Sequence, residues 1–152
     1  MRKERRPGLQ PPAIKALTVR GESKSMLSPL TGEGLTIEPG DGQGPGADVS
    51  IRLTWKGRSG ARNPAELLAP YFRNVLQVAA DRRPAPVEMR FEQLEHFNSS
   101  TVAVSIHLIQ QARSQQVPLV FVYDQSLKWQ KLSFDAMRVF VKSDGLLQLR
   151  SV

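Results

Sequence analysis

The chain has 152 residues, 40% of them hydrophobic, which is enough for one domain with a packed core. It has no cysteine, and this excludes disulfide bonds, thiolate metal sites and a cysteine nucleophile. No apolar run approaches roughly 20 residues and no secretory signal is evident, so we expect no membrane span and a cytoplasmic location. The net charge of +7 suits acidic proteins, nucleic acid or anionic lipid, or reflects only a well-solvated surface.

The first part of the chain is basic and rich in glycine and proline. Residues 1–24 hold seven lysines and arginines against only Glu4 and Glu22. Its scattered apolar residues offer little to a core, so we predict a disordered basic tail over residues 1–33 and one folded domain over residues 34–152. Residues 35–38 are predicted to form a short strand before a glycine-rich turn.

The folded part begins with a strand pattern followed by a helix pattern. Apolar and polar residues alternate over residues 49–55, the period of a half-buried strand. The run Asn63-Pro64-Ala65-Glu66 is typical of a helix start, with Asn63 as the cap. It predicts a helix that continues to about residue 80 and is bent by Pro70.

The same alternation continues along the second half of the chain. A strand is predicted to end near Phe97, with Val87, Met89, Phe91 and Gln93 on one of its faces. A helix beginning at about Thr101 is marked by an apolar stripe of Val102, Ile106 and Ile109. Pro118 then introduces LVFVYD, an almost wholly apolar run typical of a strand covered on both faces.

A last helix is predicted over residues 130–142, followed by a short strand in the segment LLQLRSV. The side chains expected to face the core from this helix are Leu132, Ala136, Val139 and Phe140. Strands that alternate with helices predict an α/β fold, with a mostly parallel sheet of four to five strands flanked by helices. The first strands could pair as a hairpin at one edge.

Residues suited to catalysis are scarce in this sequence. Only two histidines occur, and no group of residues has the spacing of metal ligands. His96 could activate a neighbouring hydroxyl, but its place in a strand favours simple packing. We therefore expect a protein that is not an enzyme and needs no cofactor.

Two features could contact a partner or an anion. The turn GRSGAR places Arg58 and Arg62 before a helix start, where an anion could bind, but it lacks the P-loop ending and could be a plain turn. Trp129 lies at the start of the last predicted helix. It is either an exposed anchor for a protein partner or a core residue.

Four small polar residues separate the strand that ends at Phe97 from the next helix: Asn98, Ser99, Ser100 and Thr101. One of them would suffice as a helix cap. At a helix start the backbone N–H groups are unsatisfied and the helix dipole presents its positive end. A phosphate here would be stabilised locally and would add about −2 charge to a docking surface. The cluster is therefore either a simple cap or a phosphorylation site.

Two segments, GRSGARNPAELLAPYF and LEHFNSST, resemble motifs of the SiaC family of STAS-like bacterial regulators. The resemblance covers about residues 49–142, and the element order is similar to the STAS fold of anti-sigma-factor antagonists. His96 stands where the family usually has tyrosine, and Ser99 where it has the phosphorylated threonine. The resemblance implies Ser99 as the phosphate acceptor. Ser100, at the position of the acceptor in the anti-sigma-factor antagonists, is the second choice.

The resemblance also implies a function and a set of partners. A Ser/Thr protein kinase would phosphorylate the site, a PP2C-type phosphatase would restore it, and the unmodified protein would bind and control an effector such as a diguanylate cyclase. The residues expected to bind partners surround the turn: Phe97, Asn98, Thr101, Trp129, Arg58 and Arg62. The alternative is a basic adaptor module associated with nucleic acid or a membrane. Because aromatic residues do not interleave with a basic stripe, nucleic acid is the less expected partner.

Overall fold

The computed structural model of the protein describes residues 27–43, 49–82 and 85–152. Over these residues the fold is α/β, with a six-stranded mixed sheet and three α-helices. The strands are β1 (Leu30–Gly32), β2 (Leu35–Gln43), β3 (Val49–Ser59), β4 (Val87–Phe97), β5 (Leu119–Tyr123) and β6 (Leu147–Ser151). The helices are α1 (Pro64–Ala80), α2 (Ser99–Ser114) and α3 (Lys128–Met137), and a short 3-10 helix follows at Arg138–Phe140.

The strands lie in the sheet in the order in which they occur along the chain. The pairs β1–β2 and β2–β3 are antiparallel, whereas β3–β4, β4–β5 and β5–β6 are parallel. β2 and β3 thus form the antiparallel pair that the sequence allowed, although β1 and not β2 lies at the edge of the sheet. The sheet has six strands rather than four to five and is mixed, because β1 and β2 extend it beyond the parallel part.

The folded part begins earlier than residue 34. Leu27 is buried in the core, and the Tyr71 hydroxyl donates a hydrogen bond of 2.9 Å to the Ser28 carbonyl oxygen. β1 lies within the predicted tail, so the boundary at residue 34 falls inside the turn between β1 and β2. The sequence signal was weak here because β1 has only three residues. The predicted disorder of residues 1–26 lies outside the described residues.

The helices pack against one face of the sheet. Phe72 of α1 lies 5.9 Å from Trp55 of β3, and Phe134 of α3 lies 4.9 Å from Phe91 of β4, between ring centroids. Leu108, Ile109 and Ala112 of α2 belong to the same buried cluster. β5 is buried along its whole length, as its apolar sequence predicts.

The opposite face of the sheet carries charged side chains. Arg52 and Arg90 both pair with Glu88, at 3.2 and 3.1 Å, and Arg90 also pairs with Glu92 at 2.7 Å. The alternation of apolar and charged residues in β3 and β4 thus reflects one core face and one polar face.

Two bulges in β4 change which side chains face the core. The pairing register with β3 shifts opposite Thr54/Lys56 and again opposite Gly57/Arg58. Each shift adds a residue to β4, and after the first shift Leu94 is buried while Gln93 is exposed. The prediction that Gln93 shares a face with Val87, Met89 and Phe91 is therefore wrong, since those three are buried and Gln93 is exposed. The second shift restores the original phase, and Phe97 is buried again.

The last helix is shorter than predicted and presents a different face. α3 ends at Met137, and its buried side chains are Gln130, Phe134 and Met137. Of the residues expected in the core, Leu132 is 61% exposed and Val139 77% exposed, Ala136 is exposed, and only Phe140 is partly buried. The aromatic ring of Phe134 packs against four other rings, and that large apolar contact decides which face of the helix is buried.

Candidate functional site

The turns that lead into α1 and α2 lie side by side. Because β3 and β4 are parallel neighbours with Ser59 opposite Phe97, both strands end at the same edge of the sheet. The Asn98 N–H donates to the Ser59 carbonyl oxygen at 3.0 Å and so continues the pairing past the end of β4. We call residues 58–62 and 98–101 the paired turns.

Asn98 caps α2 and also joins the paired turns. Its Oδ1 accepts from the Thr101 N–H at 2.9 Å and from the Thr101 hydroxyl at 2.8 Å. Its Nδ2 donates to the Ala61 carbonyl oxygen at 2.8 Å. α2 accordingly begins at Ser99, two residues before the predicted start. Asn63, the predicted cap of α1, makes no such side-chain bond.

A buried pair of hydroxyls lies beneath the turns. The Thr101 side chain is fully buried, and its Oγ1 lies 2.7 Å from Ser59 Oγ. The amide oxygen of Asn98 can only accept, so the single proton of the Thr101 hydroxyl points towards it. Ser59 then donates to Thr101. Sequence reasoning missed Ser59, although it continues the inward alternation of Ile51, Leu53 and Trp55.

Ser99 and Ser100 face solvent in the first turn of α2. Their backbone N–H groups have no hydrogen-bond partner among the described residues, whereas the Thr101 N–H is bonded to Asn98. A phosphate on either serine would lie next to free donors and to the positive end of a 16-residue helix.

The predicted partner-binding residues divide into exposed and buried ones. Arg58 and Arg62 are exposed, and Arg58 lies 4.0 Å from Glu95. Phe97 and Thr101 are buried, so their predicted contact with a partner is incompatible with this conformation. Their side chains instead hold the paired turns against the core.

Trp129 is neither a fully exposed anchor nor a fully buried core residue. It is half-buried, with its ring 5.1 Å from that of Phe97 and 6.2 Å from that of His96. The indole thus covers the end of β4 and leaves part of its surface free. His96 packs in this cluster and does not meet the serines in any hydrogen bond within the described residues.

Gln130 is a buried polar residue that sequence reasoning did not identify. Its Nε2 donates to the carbonyl oxygens of Phe91 at 2.6 Å, within the first β4 bulge, and of Leu94 at 3.1 Å, just after it. Its Oε1 accepts from the Asp124 N–H at 2.8 Å. Gln130 therefore joins the bulged part of β4 to the residue that follows β5 and satisfies its own buried amide in doing so.

An open groove of about 520 Å³ runs between α1 and α2. Ser100 and Arg62 both line it, so one predicted acceptor and one predicted cation share a surface. The remainder of its lining comes from Asn63 and the two helices. We call it the α1–α2 groove.

The described residues contain no group of three His, Asp or Glu side chains placed to hold a metal ion. None of their helices is long and apolar enough to cross a membrane. In comparisons with known proteins, no family model matches the chain, and no curated protein matches it.

Proposed function

We propose that this protein is a STAS-like, SiaC-like partner-switching regulator, gated by phosphorylation of Ser99 or Ser100. The unmodified form binds and controls an effector such as a diguanylate cyclase. A Ser/Thr kinase and a PP2C-type phosphatase set its state. The observation that carries the proposal is the exposed pair of serines in the first turn of α2, whose N–H groups have no partner among the residues that the structure describes.

The hydrogen bonds of the paired turns support a switch that leaves the fold intact. Asn98, Thr101 and Ser59 make the bonds that hold the turns together, and neither Ser99 nor Ser100 takes part in them through its side chain. A phosphate on Ser99 or Ser100 therefore changes the surface without removing a structural bond. It adds about −2 charge where a partner must displace water.

The direction of the switch follows from the cost of desolvation. A partner that covers the unmodified first turn of α2 meets the small side chains of Ser99 and Ser100. Covering a dianion costs several kcal/mol unless a cation pairs with it. We expect phosphorylation to weaken effector binding by at least about tenfold, or about 1.4 kcal/mol.

Mass spectrometry of protein isolated from its native cell tests the modification. Phosphate is expected on Ser99 or Ser100 under some growth condition. A Ser99→Ala/Ser100→Ala variant should bind its copurifying effector constantly and lose the regulation. If phosphate is never found and the double variant is fully functional, the switch does not exist. If the phosphorylated form binds more tightly, the active state is the opposite one.

A basic adaptor module is the second candidate, favoured by the excess of cations in residues 1–24. Binding of such a segment to DNA or to anionic vesicles would weaken steeply with salt. This binding would also be lost when residues 1–24 are deleted. The partner switch requires neither the salt dependence nor the loss on deletion.

A further inference from the structure

The walls of the α1–α2 groove are two regular rows of side chains. Ala65, Ala69 and Arg73 follow one another at intervals of four residues along α1. Ser100, Val104, His107 and Gln111 do so at intervals of three or four along α2. From Ser100 to Gln111 the groove extends about 16 Å at 1.5 Å per residue. That length matches about three turns of a third helix.

The groove has an apolar floor with small side chains above it. Phe72 and Leu108 lie buried at its base, and Ala65 and Ala69 leave space between the two helices. An amphipathic helix that lays its apolar face into such a groove is a recurrent mode of peptide recognition. Its polar residues would then meet the rim.

The rim of the groove is cationic and has no internal counter-charge. Within the described part of the chain, no Asp or Glu lines the groove, and Arg62 and Arg73 form no ion pair. Elsewhere in the domain, arginines such as Arg52 and Arg113 are paired with carboxylates. Unpaired guanidinium groups beside an apolar floor favour an occupant that supplies carboxylates.

Charge also decides against two occupants from this protein itself. Residues 1–24 carry seven cations and two acids, and a second copy carries a net charge of +7. Each would bring positive charge to a positive rim.

We propose that the α1–α2 groove binds an acidic amphipathic helix of the effector, with Arg62 and Arg73 pairing with its carboxylates. This rests on the proposed function, since the occupant belongs to the partner that is switched. A phosphate on Ser100 would lie within the same groove and pair with a nearby guanidinium. It would thereby compete with the carboxylates of the helix.

A displayed library of helical peptides, each about four turns long, tests the groove even while the effector is unidentified. The library is selected on the immobilised full chain. Enriched peptides are expected to carry Asp and Glu beside an apolar stripe, and to bind Arg62→Glu/Arg73→Glu at least about tenfold more weakly. The matched control is Lys142→Glu/Arg150→Glu, which changes the same charge on exposed residues outside the groove.

Several results would overturn the proposal. The selection could enrich no peptide, or it could enrich neutral or basic peptides. Acidic peptides could also lose the same affinity for the groove variant as for the control variant. Self-association of the chain that Arg62→Glu/Arg73→Glu abolishes would assign the groove to a second copy instead. Both variants alter exposed side chains, so their thermal midpoints should remain near wild type.

Protein phosphorylated at Ser100 separates this inference from the function on which it rests. If selected peptides need Arg62 and Arg73 but bind the phosphorylated form equally well, the groove is a docking site and phosphorylation of Ser100 does not control it. If phosphorylation releases the effector while Arg62→Glu/Arg73→Glu binds it normally, phosphorylation controls effector binding but the groove is not the docking site.

Discussion

The hydroxyl of Thr101 lies at the centre of the bonds that hold the paired turns together. It donates to Asn98 and accepts from Ser59, in a place with no access to water. A buried hydroxyl that loses its partner costs more free energy than the bond itself contributes. The residue predicted to bind a partner is thus a structural support for the surface above it.

Replacement of Thr101 by valine should lower the free energy of unfolding by about 1–2 kcal/mol, because Ser59 Oγ loses its acceptor in the core. Urea denaturation measures the change. Ser99→Ala is the control and should stay within about 0.5 kcal/mol, since Ser99 is exposed. Equal stability of both variants would show that the hydroxyl pair has no structural role.

Tyr71 makes the free energy of unfolding depend on pH in the alkaline range. Burial raises the pKa of its phenol to about 12, from an ordinary value of 10.0. A raised pKa in the folded state gives stability that is complete below pH 10 and is lost as pH rises towards 12. The neutral phenol also donates to the Ser28 carbonyl oxygen and thereby holds the segment before β1.

Tyr71→Phe should destabilise the protein at pH 8 by about 0.5–1.5 kcal/mol, the usual value of one hydrogen bond. The difference from wild type should shrink between pH 10 and pH 12, because wild type then loses the contribution of the neutral phenol. Denaturation at several pH values measures it. A difference that stays constant with pH would contradict this account.

At the level of elements, the junction between β3 and β2 depends on one glycine. Gly57 has a φ of +85°, and a Cβ atom there would overlap the Gly34 carbonyl oxygen. The same oxygen accepts a hydrogen bond of 3.0 Å from the Arg58 N–H. The close approach of the two strands therefore requires glycine at residue 57.

Gly57→Ala should lower the free energy of unfolding by about 1–3 kcal/mol, through backbone strain and the displaced Gly34 carbonyl. Gly60→Ala is the matched control, three residues away with open space around it and no positive φ. Thermal unfolding compares the two variants. If Gly57→Ala were as stable as Gly60→Ala, the backbone at the junction of β2 and β3 would adapt to a side chain.

Gln130 joins α3 to the bulge in β4, and its replacement tests that connection. Gln130→Leu leaves the Phe91 and Leu94 carbonyls and the Asp124 N–H without their side-chain partner. We expect a loss of about 2–4 kcal/mol, because several buried polar groups are affected. Gln110→Leu, at an exposed position of α2, should be nearly neutral. A small change in the free energy of unfolding in both variants would mean that water replaces the Gln130 side-chain amide.

The order of most elements could be predicted from the sequence. Which face of each element is buried could be predicted only for some of them. Alternation in β3 and the apolar run of β5 are local patterns, and both elements form as expected. The β4 bulges depend on pairing with β3, which no local pattern shows. They move Leu94 inward, and Gln130 lies in the core where it bonds two carbonyls of the bulged segment. Leu132 is exposed for the same reason, because the buried face of α3 contains Gln130 and Phe134.

On the scale of the whole molecule, the sequence identified the edge of the sheet where the candidate site lies. The exposed serines and the cap at Asn98 follow from the four polar residues after Phe97. The burial of Thr101, its bond to Ser59 and the α1–α2 groove arise only when β3 and β4 bring their turns together. Such contacts join residues about 40 positions apart, and single-segment patterns contain no information about them.

The cap at Asn98 has a consequence for the enzyme that would modify this site. Ser99 and Ser100 belong to a helix that is already formed, so an active-site cleft that binds extended chain would have to unwind its first turn. That unwinding would break the bonds from Asn98 to Thr101 and to Ala61. A kinase for this protein should therefore read a three-dimensional surface built from both turns. A peptide of residues 94–112 should be phosphorylated with kcat/KM at least about tenfold below that of the full chain, a loss of about 1.4 kcal/mol of recognition. A peptide that was as good a substrate as the folded protein would mean that only the local sequence is recognised.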